Sequence, residues 1–426
     1  MNAKQLTLKR KQQILIVIAC LVYSFAYTGR YSYNANIAPI MAFYNVTRAE
    51  AGLTGTFFFF AYGAGQLIHA IFCRFYPRKY IIPGVLGASA ILNVAVFCGV
   101  PFGAIKYLWL LNGICQSVLW PTLVLVLSDT MDSVMMKRAV FAMSLTVVIG
   151  TVISYGGSAI FNLFDFFRGA FLLGAVLMLA IGIAWLIGYD VLTAENAGLA
   201  EAQAQAQAAS SEATSAGGRS RKRAANGALI GLFAVCGLFM AVDNFVKDGL
   251  NTWTPVILKE RFGVGDSLSI VLTVALPFCG VFGAMLALRM NRKIKDFRAL
   301  SGSLLLLLSV CICGILLSMK LESMALTVAF LGVVSCFAHG INSIMTSIMP
   351  FAMRDKVNPG FLAGLMNSAG YVGSTASAYG LGVIADRTDW NTVMYILLFA
   401  SVGVTLLAWG TVFLGHLRKR RTGQEI

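Results

Sequence analysis

Charge is what this chain has little of. Of its 426 residues only 12% are Asp, Glu, Lys or Arg, with 18 acids and 3 His. Soluble domains carry about 25% charged residues, so an ordinary water-exposed surface is excluded. The 9 Cys follow no metal-ligand spacing and no loop framework, which excludes a zinc module or a disulfide scaffold and leaves them as small packing residues. Walker loops, dinucleotide fingerprints, HExxH and nucleophile motifs are all missing. ATP-driven pumping and soluble-type catalysis therefore have no support. No cofactor or metal is expected, and the chain is not read as an enzyme.

What is present is apolar. Hydrophobic residues make up 58% of the chain, Gly contributes 42 positions and the mean hydropathy is +0.77, the composition of a polytopic membrane protein. Spans need about 20 apolar residues each, and twelve stretches qualify, starting near residues 13, 51, 80, 107, 139, 169, 229, 267, 299, 324, 359 and 391. Between 191 and 226 the composition changes to Ala, Gln, Glu and Ser and ends in Gly217-Gly218-Arg219-Ser220-Arg221-Lys222-Arg223. Such a segment cannot bury a core and reads as a cytoplasmic linker. It separates residues 1–190 from 227–426, six spans each. The expected fold is all-α, twelve transmembrane helices in two pseudo-symmetric six-helix bundles. Glycines in several spans allow close helix approach.

A formal charge of +15 would suggest nucleic acid in a soluble chain. Here the basic residues alternate loop by loop. Lys9 to Lys11, Arg74 to Lys79, Lys137, Arg138, Arg219 to Arg223, Arg289 to Arg298, Arg354, Lys356 and Arg418 to Arg421 share one side, while Arg48, Lys106, Arg168, Lys259, Arg261, Lys320 and Arg387 lie opposite. The positive-inside rule then places both termini in the cytoplasm. The expected partners are the lipid bilayer of the cell (plasma or inner) membrane and a small anion, without nucleic acid, for a chain acting as a monomer. No small-residue cleavage site follows the first span, so it is expected to be retained.

Two cations fall inside the spans, Arg30 in the first and Lys247 in the seventh. A charge in the bilayer core needs a partner or a job. Arg30 has no acid in its own span, and its guanidinium suits a carboxylate or phosphate. Lys247 lies beside Asp243 and Asp248; four residues apart, Asp243 and Lys247 share a helix face and are expected to pair, as a structural ion pair or as a switch released by an anionic ligand. Tyr33 and Asn34, and in other spans Gln116, Trp120, Asn342, Asn367 and Tyr371, are further candidates for ligand contact or helix–helix bonding. His69 and His339 stand apart from any acid on their own faces and read as packing residues. The halves echo each other weakly, Arg30 preceding Pro39 and Lys247 preceding Pro255. Binding groups at the interface of two such halves are the plan of a rocking transporter.

With Arg30 in the first span, Ala61-Tyr62-Gly63-Ala64-Gly65-Gln66 and Pro77-Arg78 around the second, and Gln116 with Trp120-Pro121 in the fourth, the chain resembles the organophosphate:phosphate antiporter family of the major facilitator superfamily. Trp253-Thr254-Pro255 in the seventh span, and Ala363-Gly364 through Tyr371-Val372-Gly373 to Asp386 and Trp390, extend that resemblance over the whole chain. It implies that Arg30 and Lys247 bind a phosphoryl group and that a phosphate ester is exchanged for inorganic phosphate. The chain departs from the family pattern in having Tyr31 after Arg30, no fifth-span His near Ile149, and His69 and Cys73 in the loop signature. Three readings stand at this point: that antiporter, a proton-coupled carboxylate carrier using Asp243 or Asp248, and a sugar-phosphate sensor that does not transport.

Overall fold

A computed structural model describes residues 3–72, 75–194, 219–353, 356–357 and 359–421. Cys73, Arg74, Arg354 and positions 195–218 of the expected linker lie outside the described residues. The first half comprises α1 (Ala3–Ala35), α2 (Ile37–Tyr44), α3 (Arg48–Phe72), α4 (Arg78–Phe97), α5 (Phe102–Ser117), α6 (Leu119–Thr130), α7 (Ser133–Asn162) and α8 (Gly169–Thr193). The second comprises α9 (Arg219–Phe262), α10 (Asp266–Thr273), α11 (Ala275–Lys293), α12 (Phe297–Lys320), α13 (Met324–Ser343), a π-helical turn (Ile344–Ile348), α14 (Met349–Ala352), α15 (Pro359–Arg387) and α16 (Trp390–Arg421). Helix is the expected answer in hydrocarbon, because only there does each segment satisfy its own backbone polar groups.

Among the described residues, ten helical segments are long and apolar enough to cross a membrane. The other two expected spans are α3, 25 residues, and α15, 29 residues; their Gly, Ser, Thr and Gln positions dilute the apolar signal. These two helices make the most extensive helix pair in the molecule, one from each half. A helix that faces protein along much of its length has less need of an apolar surface than one facing lipid. The helices also extend further than the composition suggests. α8 runs to Thr193 and α9 begins at Arg219, because the Ala, Arg and Lys at the linker's end are strong helix formers.

The internal repeat, faint in the sequence, is plain in the packing. In the first half α1 packs on α7, α3 on α5, and α4 on α8; six spans later α9 packs on α15, α11 on α13, and α12 on α16. Across the interface α3 meets α15, and its counterpart is α7 against α10 and α11. The proline echo is less symmetric. The first span breaks at Asn36, immediately before the helix α2 that contains Pro39, whereas α9 continues through Pro255.

On the face opposite the chain ends the two halves are tied together. Arg48 Nη2 is 2.7 Å from Glu260 Oε2 and its Nη1 3.1 Å from Asp386 Oδ1. Asp386 also accepts from the backbone N–H of Arg48 (3.2 Å) and Ala49 (2.8 Å), so a carboxylate of α15 satisfies donors at the start of α3. Trp390 Nε1 donates to Glu260 at 2.7 Å, and Tyr155 OH to Asn251 O at 3.1 Å. A cleft of about 630 Å³ at this latch is lined by Arg48, Glu260, Arg261, Asp386 and Trp390.

Candidate functional site

The first span is an aromatic face wrapped around one cation. Tyr23, Tyr27, Arg30 and Tyr31 recur at intervals of four, three and one, which on an α-helix puts them on one side. α3 adds Phe58, Phe59 and Tyr62, and α15 adds Tyr371. The guanidinium carbon of Arg30 lies 4.7 Å from the ring centres of Phe58 and Tyr62, 5.2 Å from Tyr27, 5.5 Å from Tyr31, 5.6 Å from Phe59 and 5.8 Å from Tyr371. Arg30 is 4% exposed, and its Nε and Nη1 have no hydrogen-bond partner. No carboxylate lies within ion-pair distance of it among the described residues. A buried arginine at a span's centre costs about 2.5–3.5 kcal/mol on insertion scales. Six ring contacts at about 0.5 kcal/mol or more each offset a cost of that size, leaving the cation stable yet unneutralised.

A hydrogen-bonded ladder leads from this cage into both halves. Tyr62 OH lies 3.1 Å from Tyr23 OH and accepts from Gln66 Nε2 at 3.1 Å. Gln66 Oε1 in turn accepts from Asn367 Nδ2 of α15. Trp120 packs on Tyr23, ring centres 5.0 Å apart, and Tyr371 on Tyr62 at 4.9 Å. Four residues singled out from sequence, Arg30, Trp120, Asn367 and Tyr371, thus belong to one constellation. The links between them are Tyr23, Tyr27, Phe58, Phe59, Tyr62 and Gln66, which the site reading missed. The i, i+4 spacing of Tyr23 and Tyr27, and of Phe58, Tyr62 and Gln66, was the signal that could have found them.

Other candidates lie elsewhere. Tyr33 donates to Ala51 O at 2.8 Å and packs on Trp109, joining the first span to its neighbours. Asn34 reaches the other half, its Nδ2 donating to Thr252 Oγ1 at 3.1 Å. Gln116 Nε2 donates at 3.2 Å to Asn112 Oδ1, which also accepts from Ser89 at 2.8 Å, a network within the first bundle. Asn342 stands beside the π-helical turn, its carbonyl accepting from Thr346 Oγ1 at 2.8 Å. That turn precedes Pro350, which has no N–H to give the helix and crowds the preceding turn; such turns recur at functional sites. His69 Nδ1 meets Tyr76 OH at 2.6 Å, and His339 Nδ1 donates to Ser335 O of its own helix at 2.9 Å.

On α9 the expected ion pair between Asp243 and Lys247 does not form. Lys247 Nζ donates to Asn244 Oδ1 at 2.7 Å and lies 3.9 Å from Asp248 Oδ1. Asp248 is held from α15 by Ser374, whose Oγ donates to Oδ2 at 2.5 Å. The flexible ammonium has two acceptors at neighbouring positions, and shared helix face alone does not decide which it takes. Asp243 is fully buried, and neither of its carboxylate oxygens has a hydrogen-bond partner. The two clusters meet on α15, where Tyr371 of the cage stands three residues before Ser374, the donor to Asp248. Groups of three or more metal-ligating side chains are absent among the described residues.

The sequence matches the Major Facilitator Superfamily over residues 19–378. The chain belongs to that superfamily. Like other major facilitators it is a multi-pass membrane protein of a family of small-molecule carriers. Its backbone is similar to a bacterial homolog of the human lysosomal transporter Spinster, solved inward-facing and occupied, with a TM-score of 0.66 at 16% identity over 94% of this chain and 96% of that one. The nucleoside transporter NupG, in a mutant form, gives 0.67 at 12% identity over 93% and 99%. Identities this low show the fold alone. In sequence, this facilitator is 26% identical to the Quinolone resistance transporter of Acinetobacter baumannii over 141 residues, 33% of this chain and 31% of that protein. It is 29% identical to the Membrane sensor protein UhpC of Escherichia coli (strain K12) over 106 residues, 25% of this chain and 24% of that protein. Matches to these relatives therefore span about a quarter to a third of their length.

Proposed function

We propose that this protein is a secondary carrier that moves a small organic anion across the cell membrane by alternating access, with Arg30 gripping the anion between the halves. The observation that carries this reading is a cation 4% exposed, inside the membrane-spanning region, with two unpartnered nitrogens and no acid beside it. Lys247, Asn367, Tyr371 and Trp120 border the same route in this reading, and the latch at Arg48 closes one end of it. In this reading both termini are cytoplasmic, which the placement of the basic segments supports, and one chain with its two halves is the working unit.

Two forms of the activity have support. Exchange of a phosphorylated metabolite for inorganic phosphate is supported by the motifs around Arg30 and Lys247 and by the similarity to the sensor UhpC. Proton-coupled carboxylate transport is supported by the pairing of Lys247 with Asp248 and by the orphan Asp243 carboxylate, which is free to take a proton. Purified protein in vesicles separates them. Under exchange, vesicles preloaded with phosphate take up a labelled phosphate ester faster than empty ones without any pH gradient. Under proton coupling, internal phosphate is inert and an acid-outside gradient drives carboxylate entry. Ligand binding with no flux of either kind would mark a sensor.

A further inference from the structure

The charge count around the cage carries the reading above a step further. Two cations and two carboxylic acids lie inside the spans there: Arg30, Lys247, Asp243 and Asp248. Lys247 is matched by Asp248 and by the Asn244 amide oxygen, and Asp248 is further held by Ser374. Asp243 is buried, with neither oxygen hydrogen-bonded and no cation within ion-pair distance among the described residues; a charge there would be unpaired in a low-dielectric surrounding, so it counts as the neutral acid. Arg30 is therefore the one uncompensated cation of the centre among the described residues. A ligand carrying one negative charge neutralises it. A ligand carrying two leaves a net negative charge in a low-dielectric surrounding, or must first pull Lys247 away from Asp248, and either is costly.

The lining sets a second constraint. Six rings surround the guanidinium. Of the polar side chains nearby, Tyr62 is bonded to Tyr23 and Gln66, and Gln66 to Asn367; the hydroxyls left over are the phenols of Tyr27, Tyr31 and Tyr371. A polyhydroxylated body would bury hydroxyls with few free partners, each an unmade hydrogen bond. A ring or an apolar body meets aromatic faces and edges instead, the contacts such side chains favour.

We infer that the centre selects a singly charged acid with an aromatic or apolar body, its carboxylate or equivalent on Arg30 and its body among Tyr27, Tyr31, Phe58, Phe59 and Tyr371. This rests on the organic-anion reading and narrows it away from doubly charged sugar phosphates. Balancing Lys247 against Asp248 is what makes the selection single.

The test uses full-length protein in lipid nanodiscs and thermal stabilisation by 3-phenylpropionate, phenyl phosphate, succinate, glucose 6-phosphate and inorganic phosphate. At about pH 8, 3-phenylpropionate is expected to bind about 10-fold tighter than succinate or glucose 6-phosphate. Phenyl phosphate keeps its ring but changes charge near a second pKa of about 6; its affinity relative to 3-phenylpropionate should fall about 10-fold from about pH 5 to about pH 8. Taking that ratio at each pH removes the effects of pH that both ligands feel alike, and it needs no variant. In Asp248→Asn, Lys247 is released and preference should move toward succinate and phenyl phosphate dianion by about 10-fold. Arg30→Gln should abolish binding of 3-phenylpropionate. Tighter binding of glucose 6-phosphate or inorganic phosphate than of 3-phenylpropionate overturns the inference while leaving the carrier reading intact, and so does a phenyl phosphate ratio that rises with pH. If no anion of any class stabilises the folded protein or exchanges in counterflow, the carrier reading itself fails and the inference falls with it.

Discussion

At the scale of single residues, the cage makes arginine specifically necessary. Guanidinium is planar and weakly hydrated, so it lies against rings and still presents N–H groups, whereas a lysine ammonium is a hydrated point charge. Arg30→Lys is expected to insert and fold like the wild type while losing affinity for the stabilising anion about 10-fold or more; titrated thermal shifts would measure this. Near-wild-type affinity would show that Arg30 does not grip the anion directly. The neighbouring charges give a second prediction. Lys247→Met leaves Asp248 unmatched and should cost about 3 kcal/mol of stability, read as a lowered melting temperature. Adding Asp248→Asn should restore most of it, and adding Asp243→Asn instead should not. Recovery with Asp243→Asn and none with Asp248→Asn would mean that the pair is Asp243 with Lys247 after all.

At the scale of elements, the approach of α9 to α15 depends on a missing side chain. A Cβ at Gly373 would run into the backbone carbonyl of Ala241, and one at Gly52 into that of Ala378 on the seam between halves. Gly373→Val must therefore push α15 off α9, taking Ser374 away from Asp248 and Tyr371 away from the cage. The expected result is a large loss of folded protein in detergent, seen as a broadened or absent monodisperse peak in size-exclusion chromatography. A sharp peak with normal yield would show that α15 can shift cheaply. The same seam explains why α3 and α15 look less like membrane spans than the other segments. Their small residues serve helix contact: Gly63 meets Tyr371 along the seam, and Gly373 meets Ala241 of α9.

At the scale of the whole molecule, Arg48 joins the first half to two carboxylates of the second, Glu260 and Asp386. Side chains at this cluster are partly exposed, so each ion pair by itself contributes little to stability. Their effect is on the balance between conformations, because rocking the halves apart breaks all of these contacts together. Arg48→Gln should raise the population open on the face away from the chain ends. Labels placed across the α3–α15 mouth would report longer distances, with the melting temperature changed only slightly. An unchanged distance distribution would remove the latch from the mechanism.

Membrane residence and helical class were legible in the chain, as was the presence of a cation, Arg30, inside the first span. The bilayer acts on each residue locally, so composition and charge placement report it without knowledge of contacts. Partnerships were another matter. Asp243 and Lys247 share a helix face, yet Lys247 took Asn244 and Asp248, because packing against α15 and the reach of a flexible side chain decided among acceptors that spacing leaves equivalent. Tyr33 and Asn34 neighbour Arg30 in sequence, but one faces its own bundle and the other the opposite half. The aromatic cage is assembled from α1, α3 and α15, segments far apart along the chain whose meeting depends on how two bundles close on each other. Local pattern determined which residues could sit in the membrane; only the packing of the helices decided which of them surround the charge.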